Sequence, residues 1–163
     1  MADIPASKIT PCLWFNGEAE AAADFYVSLL PGSRIVHIQL NAVDAPSGPK
    51  GSVLAVVFEL AGQRFLAFNG GMTMEFTHAI SLQIDCDDQA EVDRLWAAFT
   101  AEGRAEQCGW VRDRWGVAWQ IVPKRLNALL MDPDPDRAGR ALAAVLEMVK
   151  PDIAAIERAV DGG

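Results

Sequence analysis

Two stretches of the chain carry the same pattern seventy residues apart, and that repeat limits what it can fold into. At this offset Trp14 falls on Ile84, Phe25 on Leu95, Tyr26 on Trp96 and Leu29 on Phe99. Each half reads as a strand, a helix and then further strands: about three after the first helix, two or three after the second. Alternation leaves each sheet with one apolar face and each helix with one apolar stripe, so neither half can bury its surface alone. Two β-α-β-β-β modules packed side by side solve that problem. The expectation is one α+β domain with a concave mixed sheet: module one over about 8–70, module two over about 78–123, and a helical extension over 125–160.

Met1–Ser7 reads as a loose tail. Lys8–Phe15 is a strand whose Pro11 points to an edge or a bulge, since proline has no N–H for a ladder. Asn16-Gly17 turns the chain into a helix from Glu18, and Pro31-Gly32 stops it. Arg34–Leu40 is a strand, and 41–51 is a polar loop. Ser52–Leu60 and Gln63–Asn69 form a hairpin across Ala61-Gly62. His78–Cys86 reads as one alternating strand, and Gln89–Ala101 as a helix capped by Asp87 or Asp88. Beyond the last hairpin lie three helices: Arg125–Met131, Arg137–Lys150 and Asp152–Val160, with 132–136 breaking the first from the second.

The last hairpin, within 105–124, holds three of the five tryptophans, Trp110, Trp115 and Trp119. Glu106–Val111 and Gly116–Val122 are its strands, linked by Arg112-Asp113-Arg114. Alternation puts Val117, Trp119 and Ile121 on one face and Ala118, Gln120 and Val122 on the other. Gln120 is then a lone amide in an apolar strand, and an unpaired buried amide costs about 1–3 kcal/mol. It is either part of a core network or part of the floor of a site. Gln83 and Ser81 share a plausible inward face with it.

A net charge of −8 disfavours nonspecific binding to nucleic acid or to an anionic membrane surface. No apolar run approaches the roughly 18 residues of a membrane-spanning helix, and the N-terminus has no signal-peptide core. Cys12, Cys86 and Cys108 are odd in number and widely spaced, which fits a reducing cytoplasm better than a disulfide framework.

Ile9–Tyr26, Ile80–Trp96, Gln107–Pro123 and the extension from Met131 together resemble the vicinal oxygen chelate (glyoxalase/bleomycin resistance/dioxygenase) superfamily. The closer resemblance is to its PhnB-like branch, whose members are often labelled 3-demethylubiquinone-9 3-methyltransferase. This resemblance implies paired βαβββ modules and commonly a homodimer. It also implies, in the metal-dependent members, a divalent ion held by His and Glu side chains from both modules. Carried onto this chain, the first ligand position falls near Pro11 or Cys12, the second-module His position at Ala79, and the final Glu position at Gln120. The usual site is therefore expected to be missing, with Cys12 and His78 as the lesser alternative for a metal. His78 has the wrong strand parity for that role unless a bulge or a one-residue slip turns it inward. A methyltransferase would be expected to show a Gly-rich turn after the first strand of a doubly wound sheet, and none is seen.

The expected function is a small-molecule-binding protein without a resident cofactor, its partner an unknown small organic molecule. Gln120, Gln83, Ser81, Cys12, Trp14 and Trp110 are the cavity candidates, with Trp110 and Trp119 expected on the side opposite Gln120. Cys12 also reads as a small buried hydrophobe, and Cys86 as core. His78 otherwise reads as a surface residue at a strand end, which is the default for it. Arg112, Arg114 and Lys124 read as a solvated turn and strand end, with guidance of an anionic ligand as the lesser alternative. The rival readings are an enzyme with an atypical metal site or none, and a structural dimer carried by the C-terminal helices.

Overall fold

The computed structural model describes residues 8–162, so the tail reading of Met1–Ser7 lies outside the described residues. The chain divides into two compact units, one ending at Glu75 and the other beginning at Phe76. No helix among the described residues is long and apolar enough to cross a membrane.

The first unit runs β1 (Cys12–Phe15), α1 (Ala19–Leu29), β2 (Arg34–Leu40), β3 (Val53–Leu60) and β4 (Gln63–Asn69). Its sheet has the order β1-β4-β3-β2, with β1 parallel to β4 and the other pairs antiparallel. The second unit repeats the plan with β5 (Leu82–Cys86), α2 (Gln89–Thr100), β6 (Arg104–Ala105), β7 (Trp110–Arg112) and β8 (Ala118–Pro123). Its sheet order, β5-β8-β7-β6, is the same topology. Helices α3 (Lys124–Leu130), α4 (Pro135–Leu146) and α5 (Ile153–Val160) follow. The α+β architecture of two βαβββ sheets with C-terminal helices is what the repeat demands.

Each long helix covers one face of its own sheet. Tyr26 of α1 stacks on Phe58 at 6.0 Å, and Phe58 stacks on Phe65 at 5.4 Å. Phe99 of α2 lies 5.0 Å from Trp119. These contacts show that the repeat slips by one residue in its first strand. Leu13 and Phe15 are buried on the α1 side while Trp14 points away, whereas Ile84 is buried on the α2 side. A one-residue shift in a strand exchanges its faces, so Ile84 matches Leu13 or Phe15 and not Trp14.

Several strands are shorter than alternation suggests. Pro11 lies just outside β1, an edge strand, and its carbonyl accepts from Leu66 N at 2.9 Å. Residues 78–80 form a turn, so β5 begins only at Leu82 and the strand-parity argument about His78 does not apply. Gln107–Gly109 form a 3₁₀ turn with Cys108 at φ 59°, so β7 begins at Trp110. The amides of Cys108 and Gly109 donate to the carbonyls of Met148 and Val149. The second C-terminal helix starts and stops earlier than its apolar pattern indicates. Asp134 caps it, with Pro135 in the first turn, and it ends at Leu146. Beyond that point the chain turns its carbonyls toward the 3₁₀ turn.

The extension has a core of its own. Val122, Leu126, Leu129, Ala141, Val145, Ile156 and Val160 are buried together. Gln89, at the start of α2, ties it down by donating to Pro151 O at 3.1 Å and accepting from Ile153 N at 2.9 Å.

Candidate functional site

The face of the second sheet turned away from α2 gathers the polar side chains. Gln83 is the register partner of Gln120, and Gln120 is the register partner of Trp110. Residues directly opposite one another share a face, so these three form one row across β5, β8 and β7. Trp110 therefore stands on the same side as Gln120, not on the opposite side. It is Val111 that pairs with Trp119 on the face covered by α2. Gln120 is half-buried, and its Nε2 donates to Ser81 Oγ at 2.8 Å, leaving its carbonyl oxygen as an acceptor. Gln83 is exposed and donates to Asp85 at 2.7 Å, and Asp85 also accepts from Asn127 at 3.1 Å. At the far end of this face Val122 is taken into the helical core.

Beside that row lies a charged cluster whose grouping of His78 and Arg112 around Glu106 sequence reasoning missed. His78 Nε2 is 2.5 Å from Glu106 Oε2, and Arg112 Nη2 is 2.7 Å from His78 Nδ1. Arginine has no acceptor, so the guanidinium donates to Nδ1, and Nε2 faces the carboxylate. The imidazole also lies 5.6 Å from the Trp110 ring. Arg112 Nη1 donates to Phe76 O at 2.9 Å and to Gly116 O at 3.2 Å. Its Nε is buried without a hydrogen bond; Glu106 Oε1 lies 3.2 Å away, within ion-pair distance but off the N–H direction. Arg104 Nε also donates to Glu106 Oε1 at 3.2 Å. Partial burial pushes the Glu106 carboxyl up. Hydrogen bonds from His78 and Arg104 and the positive charge around it outweigh that and hold it below the ordinary value of 4.5.

Arg112 is not a solvated turn residue, since its side chain is only 12% exposed. The residue after it is as firmly placed. Asp113 is buried and accepts from Trp115 N and Val117 N at 3.0 Å each and from Trp119 Nε1 at 3.0 Å. Arg114 does lie at the surface, stacked 4.3 Å above the Trp115 ring and paired with Glu102 at 2.8 Å. Between 102–104 and 112–116 is an open groove of about 380 Å³. It shares Arg104 and Arg112 with the cluster, but neither Gln120 nor Ser81 lines it. Lys124 pairs with Asp87 at the surface.

The first unit holds the remaining candidates. Trp14 is half-buried, packs on Phe68 at 5.3 Å and donates its indole N–H to Met72 O at 2.8 Å. Gly70 makes room for it, since a Cβ there would fall 1.7 Å from the ring. Cys12 shares the face of Trp14 and is exposed as a residue, although the partial burial of its thiol raises the pKa. Cys86 is buried, and burial together with nearby carboxylates pushes its thiol up to about 12. Cys108 packs toward Leu146 O, and His37 is exposed on β2.

These donors fit a divalent metal poorly. Both ring nitrogens of His78 are engaged, with a guanidinium on one of them, and the Gln120 amide is a neutral ligand already bonded to Ser81. Among the described residues no three His, Cys, Asp or Glu side chains are grouped to hold a metal ion. The missed residues Glu106 and Asp113, and the misjudged burial of Arg112, left a faint signal. Each is a charged residue close to the tryptophans of a hairpin whose strands are otherwise apolar.

Comparison with known proteins agrees with this fold. The model of the family described as 3-demethylubiquinone-9 3-methyltransferase matches residues 7–122. The PhnB protein of Bacillus cereus, which carries the same description, is 32% identical with a TM-score of 0.66, over 72% of this chain and 99% of that one. Protein PA1353 from Pseudomonas aeruginosa is 23% identical with a TM-score of 0.58, over 72% of this chain and 98% of that one, a likeness of fold. No curated protein matches the chain.

Proposed function

Given that the chain belongs to the family described as 3-demethylubiquinone-9 3-methyltransferase, within the glyoxalase-like superfamily, we propose that it binds a small organic molecule on the outer face of its second sheet, without the superfamily's His/Glu metal site. The observation that carries this reading is the row Gln83–Gln120–Trp110, with Ser81 bonded to Gln120. A neutral amide stands half-buried where metal-dependent relatives are expected to place a glutamate. It offers a carbonyl oxygen beside a hydroxyl and an aromatic ring. Such a set recognises hydrogen-bonding groups on a flat apolar ligand and is poorly suited to a hard cation.

The family description itself does not carry over as an activity. Both sheets are mixed with the order edge–4–3–2, not the doubly wound parallel sheet on which a cofactor-binding glycine turn sits. The resemblance also supports a homodimer, which light scattering at micromolar concentration tests. A monomer there removes that part of the reading.

The main experiment pairs metal analysis with ligand titration. After incubation with zinc, nickel or manganese and desalting, the protein is expected to retain no stoichiometric metal. Retained metal that is lost in Cys12→Ser or His78→Ala overturns the nonmetal reading. Titration of planar organic compounds is expected to change tryptophan fluorescence in the wild type, and to do so far less in Trp110→Leu and Gln120→Leu.

A further inference from the structure

His78 lies over one end of the proposed binding face and belongs to no regular element. Its side chain is 52% exposed, while the Arg112 side chain beneath it is 12% exposed. The two are held very differently. Arg112 is fixed by two backbone carbonyls, those of Phe76 and Gly116. His78 is held by Glu106, by Arg112 and by its contact with Trp110, and half-exposed charged contacts of this kind contribute little. If one partner leaves, it is His78.

The guanidinium is incompletely used. Of its five N–H groups, two are spent on the carbonyls and one meets His78 Nδ1, while the buried Nε–H makes no hydrogen bond and meets Glu106 Oε1 only as an ion pair at 3.2 Å. An imidazole nitrogen is a single acceptor. A carboxylate takes Nε–H and Nη2–H together as a two-pronged pair, a stronger and more directional match. Trp110, two residues before Arg112 and on the same face of β7, supplies a flat apolar surface. Glu106 would meet a second carboxylate there, and Arg104, bonded to Glu106 at 3.2 Å, balances its charge when His78 departs.

We propose that His78 is a displaceable plug occupying the place of a ligand's carboxylate, and that the ligand class is aromatic carboxylic acids. This rests on the reading of this face as a small-molecule site. The acid seats its carboxylate on Arg112 and its ring against Trp110, and residues 77–80 lift off while Phe76 stays tied to the arginine. The plug lowers apparent affinity by the fraction of time it is open, so removing the imidazole strengthens binding.

The test titrates benzoate and its uncharged analogue benzamide into the full chain by calorimetry, comparing wild type, His78→Ala and the double variant His78→Ala with Arg112→Lys. Benzoate is expected to bind His78→Ala about tenfold more tightly than wild type, as for a plug open about a tenth of the time. Benzamide is expected to change little, and the double variant to lose the gain because lysine has no fork. Equal benzoate affinity in wild type and His78→Ala, or no benzoate binding to His78→Ala, overturns the inference. An equal gain for benzamide overturns it too, but leaves the face a binding site. If Gln120→Leu leaves both titrations unchanged, the reading of the face fails instead. Should the lysine variant not fold, the benzoate–benzamide comparison still decides.

Discussion

The indole N–H of Trp119 donates to the Asp113 carboxylate across 3.0 Å inside the core of the second unit. The same carboxylate receives the amides of Trp115 and Val117, so one buried side chain closes the turn and orients the tryptophan that α2 packs against. Asp113→Ala would remove three hydrogen bonds, two of them buried. It is expected to lower unfolding free energy by about 3 kcal/mol, measured by urea denaturation, with Asp113→Asn losing less. A loss below about 0.5 kcal/mol, the ordinary range for a surface change, would show that the turn closes without it.

Glu106 ties acid stability to the cluster around Arg112. Its folded-state pKa lies below the unfolded value, so the stabilisation is complete above the unfolded pKa and disappears as pH falls through the lower folded one. Thermal melts from pH 7 down to pH 3 are expected to show wild type and Glu106→Gln diverging at the upper end and converging at the lower. Parallel curves at every pH would mean that the carboxylate contributes no linkage.

The three cysteines differ in accessibility. Cys86 is buried with its thiol pushed up to about 12, while Cys12 is exposed and Cys108 half-buried. Iodoacetamide at pH 8 followed by peptide mass spectrometry is expected to find Cys12 alkylated and Cys86 untouched until denaturant is added. Because its pKa is raised, Cys12 should label faster as pH increases. Labelling of Cys86 in the native protein would contradict its burial at the end of β5.

Alternation and helical periodicity revealed the repeat, the order of elements and the Gln120 anomaly, because those signals are local. They could not place His78. Its alternating neighbours imitate a strand, but Arg112, thirty-four residues away, binds Phe76 O and His78 and holds the chain in a turn. Trp110 was assigned to the wrong face for a related reason. The 3₁₀ turn at Gln107–Gly109 interrupts the apparent strand and resets its pairing, and it is held there by carbonyls some forty residues on, in the extension. Arg112 and Asp113 looked like a solvated link because charge in a short connection usually faces water. Their burial depends on the Trp119 indole and on backbone groups that close around them only in the folded unit.

The two helices of matching topology begin in different ways. Asp88 caps α2 from within its own first turn, by accepting from Glu91 N. The start of α1 has no such local cap; instead Asn69, at the end of β4, accepts from the amides of Gly17 and Ala19 and donates to Val53 O. A helix with its own cap can begin to form as soon as its residues meet, whereas α1 gains its cap only after a loop of about fifty residues has closed. The duplicated halves therefore solve the same step over different distances in sequence: α2 is capped from within its own segment, and α1 is completed by its sheet.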